Sequence, residues 1–153
     1  MKIIAKNKRA YLDYDIKDTF EAWIVLKGYE VKSVKQWQAD IRDAIVKQRW
    51  GELFVTNLNI PLYSKTSPRL APWYDPKRSR KLLLHKKEIQ KLAERIHKTW
   101  LVLIPTKIYI NKKGRIKLEI ALAKLRKKIE KKQIIKERDL QREAQRTIKN
   151  MKY

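Results

Sequence analysis

Residues 101–124 run Leu-Val-Leu-Ile-Pro-Thr-Lys-Ile-Tyr-Ile-Asn-Lys-Lys-Gly-Arg-Ile-Lys-Leu-Glu-Ile-Ala-Leu-Ala-Lys. Ile116, Leu118, Ile120 and Leu122 alternate with Lys117, Glu119, Ala121 and Ala123, the period of two that marks a half-buried strand. Leu101–Ile104 is a continuous apolar run interrupted by Pro105. That strand is expected to bend, or to lie at a sheet edge, where the proline cannot donate to a ladder. Asn111-Lys112-Lys113-Gly114 is the turn between the two strands.

Working outward, Ile89, Leu92, Ala93 and Ile96 recur at helical spacing while Lys86, Lys87, Gln90, Lys91 and Glu94 fill the opposite face, which predicts a helix over 85–98. Pro68, Pro72 and Pro76 suit an ordered connector rather than an element interior. Residues 41–49 and 52–60 form two facing strands across Arg49-Trp50-Gly51-Glu52, and Pro61 ends that unit. Residues 11–34 open with strand-like alternation and contain the apolar run Ala22–Leu26. They then pass Gly28 into a short turn or helix around Val31–Val34. Short strands with short intervening helices favour a small antiparallel barrel over a parallel sheet. The expected fold is therefore mainly β with flanking helices, an OB-type antiparallel barrel over 1–123, followed by a basic tail over 124–153.

The tail contains neither glycine nor proline, and basic residues far outnumber acidic ones. Leu140, Ala144, Ile148 and Met151 sit at helical spacing, so residues 133–151 can form a basic amphipathic helix. With so narrow an apolar stripe and so much like charge, it is expected to be largely unfolded when free and helical on a polyanion.

Charge dominates the composition of the 153 residues: 39 Lys+Arg against 16 Asp+Glu leave +23. Such a field favours a polyanionic partner, and nucleic acid fits, because phosphate contacts supply much of such affinity. Cysteine is absent, which excludes disulfides, thiolate metal sites and cysteine nucleophiles. No apolar run is long enough for a membrane span and the first residues lack a signal peptide's core, so a cytoplasmic, membrane-free protein is expected.

Catalytic constellations are scarce. His85 and His97 form no metal-ligand pair, three glycines can hardly build a phosphate cradle, and Asp13/Asp15 and Asp40/Asp43 read as turn and surface residues. Neither an enzyme, nor a metal, nor another cofactor is expected. Binding chemistry is richer. Arg78-Ser79-Arg80-Lys81 precedes Leu82-Leu83-Leu84 and His85-Lys86-Lys87, placing charge on both flanks of an apolar anchor. His85, at a helix entrance, can stack on a base or cap the helix. Tyr11 and Tyr14 beside Lys6, Lys8 and Arg9 make a second aromatic and basic cluster.

The blocks Asn7-Lys8-Arg9-Ala10, Asp13-Tyr14, Phe20-Glu21-Ala22 and Gly28-Tyr29-Glu30-Val31-Lys32-Ser33 resemble the opening of the small protein B family in order and spacing. Asp75-Pro76, Arg78 through His85, Glu88 and Ala121-Leu122-Ala123-Lys124 extend the resemblance along nearly the whole chain. The resemblance implies an oligonucleotide-binding barrel that holds the tRNA-like domain of tmRNA and takes it to stalled ribosomes. It implies, as partners, tmRNA, the ribosome's decoding region and mRNA channel, and elongation factor Tu, with the protein a monomer. By motif it points to Glu21, Leu83 and His85 as supports of tmRNA binding. With the basic clusters, the expected RNA-binding set is Asn7, Lys8, Arg9, Glu21, Lys32, Arg80, Lys81, Leu83, His85, Lys86 and Lys124. Glu21 cannot hold phosphate itself and is expected to orient a neighbouring Lys or Arg, or to accept from a base or ribose hydroxyl. The tail residues expected at the ribosome are Lys127, Lys128, Glu130, Lys131, Lys132, Lys136 and Arg138. Other classes are a ribosomal or ribosome-assembly protein on the same barrel, and an RNA-processing enzyme.

The sequence departs from that resemblance at Leu125 and Ile129, where the family shows glycine and a ring. It also departs at Trp23, Trp37 and Trp100, where the resemblance leads to glycine, while Trp50 and Trp73 stand in turn-like surroundings. Five tryptophans against three glycines is the imbalance expected if UGA codons read as glycine are written as tryptophan, since average glycine usage is about 7%. Genuine divergence is the alternative.

Overall fold

The computed structural model describes residues 1–151; Lys152 and Tyr153, the end of the expected tail, lie outside the described residues. Seven strands pair antiparallel: β1 (Lys2–Lys6), β2 (Tyr14–Ile24), β3 (Ile45–Arg49), β4 (Glu52–Thr56), β5 (Arg80–Leu83), β6 (Val102–Ile110) and β7 (Ile116–Leu125). Their order is β1-β6-β3-β4-β5-β2-β7, and β7 pairs again with β6. The hydrogen-bonded ring thus closes on itself, with β1 added to the end of β6 at Lys107–Ile110, and closure leaves few free edges. Four helices flank it: α1 (Ala10–Asp13), α2 (Gly28–Lys35), α3 (Lys86–Thr99) and α4 (Lys128–Met151).

The Pro105 problem is solved by a bulge. Pairing runs Ile104↔Ala121 and Pro105↔Ile120, then resumes at Lys107↔Glu119, leaving Thr106 unpaired with β7. Leu103 and Ile108 both face the core, although an odd separation would put them on opposite faces without that extra residue. Thr106 is fully buried, its hydroxyl donates to the Glu119 carboxylate at 2.5 Å, and its carbonyl accepts the Asn7 N–H at 2.7 Å.

β7 is not the half-buried strand its alternation suggests. Leu118, Ile120 and Leu122 fill the barrel, while Ala121 and Ala123 on the other face pack with Ala10 of α1 and with Ile104. Two alanines leave room for α1 to cover that face, so the small residues mark contact and not exposure. The triple leucine also needs correcting, for it begins in β5: Leu82 is buried, Leu84 packs against the core, and Leu83 points outward at 45% exposed. In a strand, only alternate side chains can anchor.

α3 packs Leu92, Ile89 and Ile96 on the barrel, as its spacing demands. The β3–β4 hairpin turns at Trp50-Gly51, with Arg49 opposite Glu52. Its strands are shorter than expected, since Ile41 and Ala44 before it, and Leu58 and Ile60 after it, are buried from loop positions. α4 begins five residues earlier than the predicted helix and has no buried residue.

Candidate nucleic-acid interface

β5, β2 and β7 lie side by side, with Trp23 opposite both Leu83 and Lys117. Alternation in β2 sends Ala22 and Ile24 inward, so Glu21 and Trp23 project outward. Outward Leu83 leads into His85, the residue before α3, whose extended backbone (φ −64°, ψ 142°) leaves its side chain without a capping hydrogen bond. Glu21, Trp23, Leu83, Leu84, His85, Glu88 and Lys117 line one open cleft of about 340 Å³. The three residues singled out by motif therefore meet at one place. The first N–H groups of the 14-residue α3 open beside it, where partial positive charge favours anions.

Glu21 stands where an orienting carboxylate was expected. Its side chain, half exposed, accepts a hydrogen bond from the Tyr109 hydroxyl and lies 3.5 Å from the Lys117 ammonium. Burial, with the hydrogen bond to Glu21 and that carboxylate's charge, pushes the Tyr109 phenol well above its ordinary range. Tyr109 is therefore a fixed donor at neutral pH, and the exposed part of the Glu21 carboxylate can accept from a ribose hydroxyl. Lys117 is almost wholly buried, with its ammonium 3.2 Å from the centre of the Trp23 ring and Arg115 4.9 Å from the same ring. Sequence reasoning missed Lys117, which lines the cleft, and Tyr109, which holds Glu21, while Trp23, marked only as a departure at a glycine position, lines the cleft too. Lys117 read as the polar member of an alternating strand, and only the three-strand neighbourhood gives it a partner.

A second cleft, of about 550 Å³, is lined by Lys6, Asn7, Lys8, Arg9, Arg42 and Asp43. Lys8 and Arg9 are exposed there, Arg9 lying 3.6 Å from Asp13. Asn7, expected at the RNA, is buried. Its Oδ1 accepts the N–H of Ala10, the first residue of α1, at 3.2 Å, a local use that the Asn-x-x-Ala spacing allowed. Arg42, missed from sequence, lines this cleft while its guanidinium grips the Asp40 carboxylate at 2.7–3.1 Å.

Arg80 is the clear correction. It is fully buried and does not face solvent. Its guanidinium donates to the Glu30 carboxylate at 2.6 Å, to the carbonyls of Leu58 at 2.5 Å and Pro76 at 2.9 Å, and to the Tyr74 hydroxyl at 3.1 Å. Glu30, equally buried, also binds Arg78 and accepts the Lys27 N–H at 2.9 Å. Burial alone would raise the Glu30 carboxyl's pKa. Hydrogen bonds from Arg78, the Lys27 backbone and Arg80 outweigh it and hold the pKa below its ordinary value. Burial and the neighbouring Glu30 charge push the Tyr74 phenol up to about 12. This network ties α2, the proline loop and β5 together. Alternation along β5 turns Arg80 inward and leaves Lys81 outside, 3.0 Å from Glu52.

Lys32, Lys86 and Lys124 are exposed on α2, on the first turn of α3 and near the end of β7, apart from one another in the fold. Lys32 lies 5.7 Å from the Tyr63 ring. In the tail, Lys127, Lys128, Glu130, Lys132, Lys136 and Arg138 are exposed, and Leu125 and Ile129 with them. Lys131 instead pairs with Asp13 of α1 at 3.2 Å, and the Arg126 N–H donates to the Asp13 carbonyl at 2.9 Å. Among the described residues no cluster of His, Cys, Asp or Glu can hold a metal ion, and no helix is long and apolar enough to cross a membrane.

Known proteins resemble the chain over nearly all its length. It is 48% identical over 149 residues to an SsrA-binding protein of Persephonella marina, covering 97% of this chain and 95% of that one. A Thermosipho africanus SsrA-binding protein is 45% identical, with 97% and 98% covered. Among solved structures, a chain described under "tmRNA-SmpB: a journey to the center of the bacterial ribosome" superposes with a TM-score of 0.65 at 41% identity, covering 81% of this chain and 85% of that one. The family model for the SmpB protein matches residues 4–150, all but three residues at each end; the chain belongs to the SmpB family.

Proposed function

We propose that this protein binds the tRNA-like domain of tmRNA through its barrel and brings it to stalled ribosomes for trans-translation. The observation that carries this reading is the cleft in which Glu21, Leu83 and His85 meet beside the start of α3, in a chain of this family. Leu83 offers an apolar seat, His85 a ring for a base, and Glu21 an acceptor held by Tyr109 and Lys117. Lys8, Arg9, Lys32, Lys86 and Lys124 are exposed cations elsewhere on the barrel and its helices, and Lys81 is a half-buried one; they supply phosphate contacts beyond the cleft. The division of labour falls near residue 124: the barrel holds tmRNA, and α4, with Lys127, Lys128, Glu130, Lys131, Lys132, Lys136 and Arg138, enters the vacant mRNA channel. A helix with no buried residue and many cations suits a groove walled by RNA. The protein acts by binding rather than catalysis, as a monomer in the cytoplasm, and elongation factor Tu joins it on tmRNA.

Truncation separates the two parts. Ending the chain after Lys128 is expected to leave tmRNA affinity within about twofold and to abolish tagging of stalled peptides. Full tagging by the truncated protein would remove the decoding role from the tail.

A further inference from the structure

All five tryptophans are exposed: Trp50 96%, Trp73 92%, Trp100 92%, Trp37 53% and Trp23 41%. That is unusual for the largest aromatic side chain, which is normally highly buried. Four non-glycine residues among those described have positive φ, namely Trp37 (65°), Trp50 (50°), Asn57 (61°) and Trp100 (55°). Asparagine tolerates this region because its short side chain bonds locally, whereas a bulky residue there is an outlier.

Each of the three tryptophans sits in a motif that calls for glycine. At the end of α2 the Trp37 N–H donates to the Val34 carbonyl at 2.9 Å and the Gln38 N–H to the Ser33 carbonyl at 3.1 Å. These are the paired bonds of a Schellman motif with Trp37 at its left-handed position, usually glycine. Trp100 follows α3 at φ 55°, ψ 34°, again the left-handed helix end. Trp50 and Gly51 (φ 74°) form the two-residue turn between Arg49 and Glu52, where a hairpin needs positive φ at both positions and selects Asn-Gly or Gly-Gly. The indoles of Trp50 and Trp100 are almost fully exposed, so no packing of those rings offsets the backbone cost. The chain has only 3 glycines, and its left-handed positions are where the missing ones belong.

We propose that residues 37, 50 and 100 are glycine in the protein as its own cells make it, because UGA codons there are read as glycine and not tryptophan. Trp23 and Trp73 carry no such backbone demand, but the same code makes glycine of either if its codon is UGA. At position 23 this has a consequence for the cleft: without the indole, the Lys117 ammonium beneath it faces the space beside Glu21 and His85.

The test is peptide mass mapping of the protein purified from its own cells. Tryptic peptides 36–42, 50–65 and 99–107 are each expected lighter by about 129 Da than the sequence as written, the mass of an indole side chain against none. The peptides carrying residues 23 and 73 report those codons separately. Masses that retain tryptophan at 37, 50 and 100 would overturn the proposal. A second measurement tests its physical premise on recombinant protein. The triple W37G/W50G/W100G variant is expected to melt roughly 6–12 °C above the triple alanine variant, since only glycine escapes the left-handed penalty. Equal melting temperatures for the two would overturn it as well.

Discussion

Arg80→Ala distinguishes a structural arginine from an RNA-binding one. The substitution removes the partner of buried Glu30 at 2.6 Å and leaves the Leu58 and Pro76 carbonyls without their guanidinium donor. Breaking one side of a buried ion pair costs about 3–5 kcal/mol, because the remaining charge stays desolvated. Arg78, still on Glu30, keeps the loss from exceeding that range. At 153 residues, each kcal/mol shifts melting by roughly 2–4 °C, so a loss near 4 kcal/mol lowers Tm by roughly 8–16 °C. The assay is thermal unfolding by circular dichroism, paired with tmRNA binding measured well below the variant's own Tm, where affinity is expected to stay within about twofold. Arg80→Lys should recover little, since an ammonium cannot reproduce the guanidinium's fork. A Tm within about 2 °C of the parent together with lost RNA affinity would refute the burial argument and return Arg80 to the RNA face.

Other outcomes follow from the same geometry. Glu21→Ala and Leu83→Ala should each weaken tmRNA binding by roughly tenfold, about 1.4 kcal/mol. Leu83→Ala should change Tm little because that side chain is about half exposed, whereas Glu21→Ala should also lower Tm because it takes the carboxylate from buried Lys117; equilibrium binding at a temperature well below each variant's Tm, with melting controls, checks this. Glu30 should make stability acid-sensitive. Its folded pKa lies below the ordinary 4.5, so its contribution is fully present above about pH 4.5 and fades as pH falls through the folded value. Melting of the parent against Glu30→Gln from pH 7 to pH 3 should show the gap between them closing. An isolated 124–153 peptide should show little helix in dilute buffer and gain it on a polyanion, read by circular dichroism; strong helicity alone would refute folding on binding.

β2, β3, β4, β6, β7 and α3 were legible because period-two and 3.6-residue patterns survive in single segments of this chain, as in Ile116–Leu122 and Ile89–Ile96, whereas β1 and the four-residue β5 show no such alternation. What stayed hidden depends on partners distant in sequence. Arg80 looked like surface because its charge is visible and its partner Glu30 is fifty residues away. The outer burial of β7 depends on Ala10, more than a hundred residues upstream. The cleft was half legible: motif order brought out Glu21, Leu83 and His85, but Lys117 joins them there, and Tyr109 bonds Glu21, only when β7 and β6 close the barrel. Asn7 carried a local signal, the three-residue spacing to Ala10 that lets an asparagine side chain accept a backbone N–H, which its basic neighbours obscured.

The central claim is that the barrel selects tmRNA from the cell's RNA, and the RNA that co-purifies with the protein from its own cells tests it most directly. Sequencing that RNA should show tmRNA enriched far above its cellular share, with the enrichment lost for the Glu21→Ala, Leu83→Ala double variant. Recovery of ribosomal RNA in proportion to its abundance, without enrichment of tmRNA, would contradict the account.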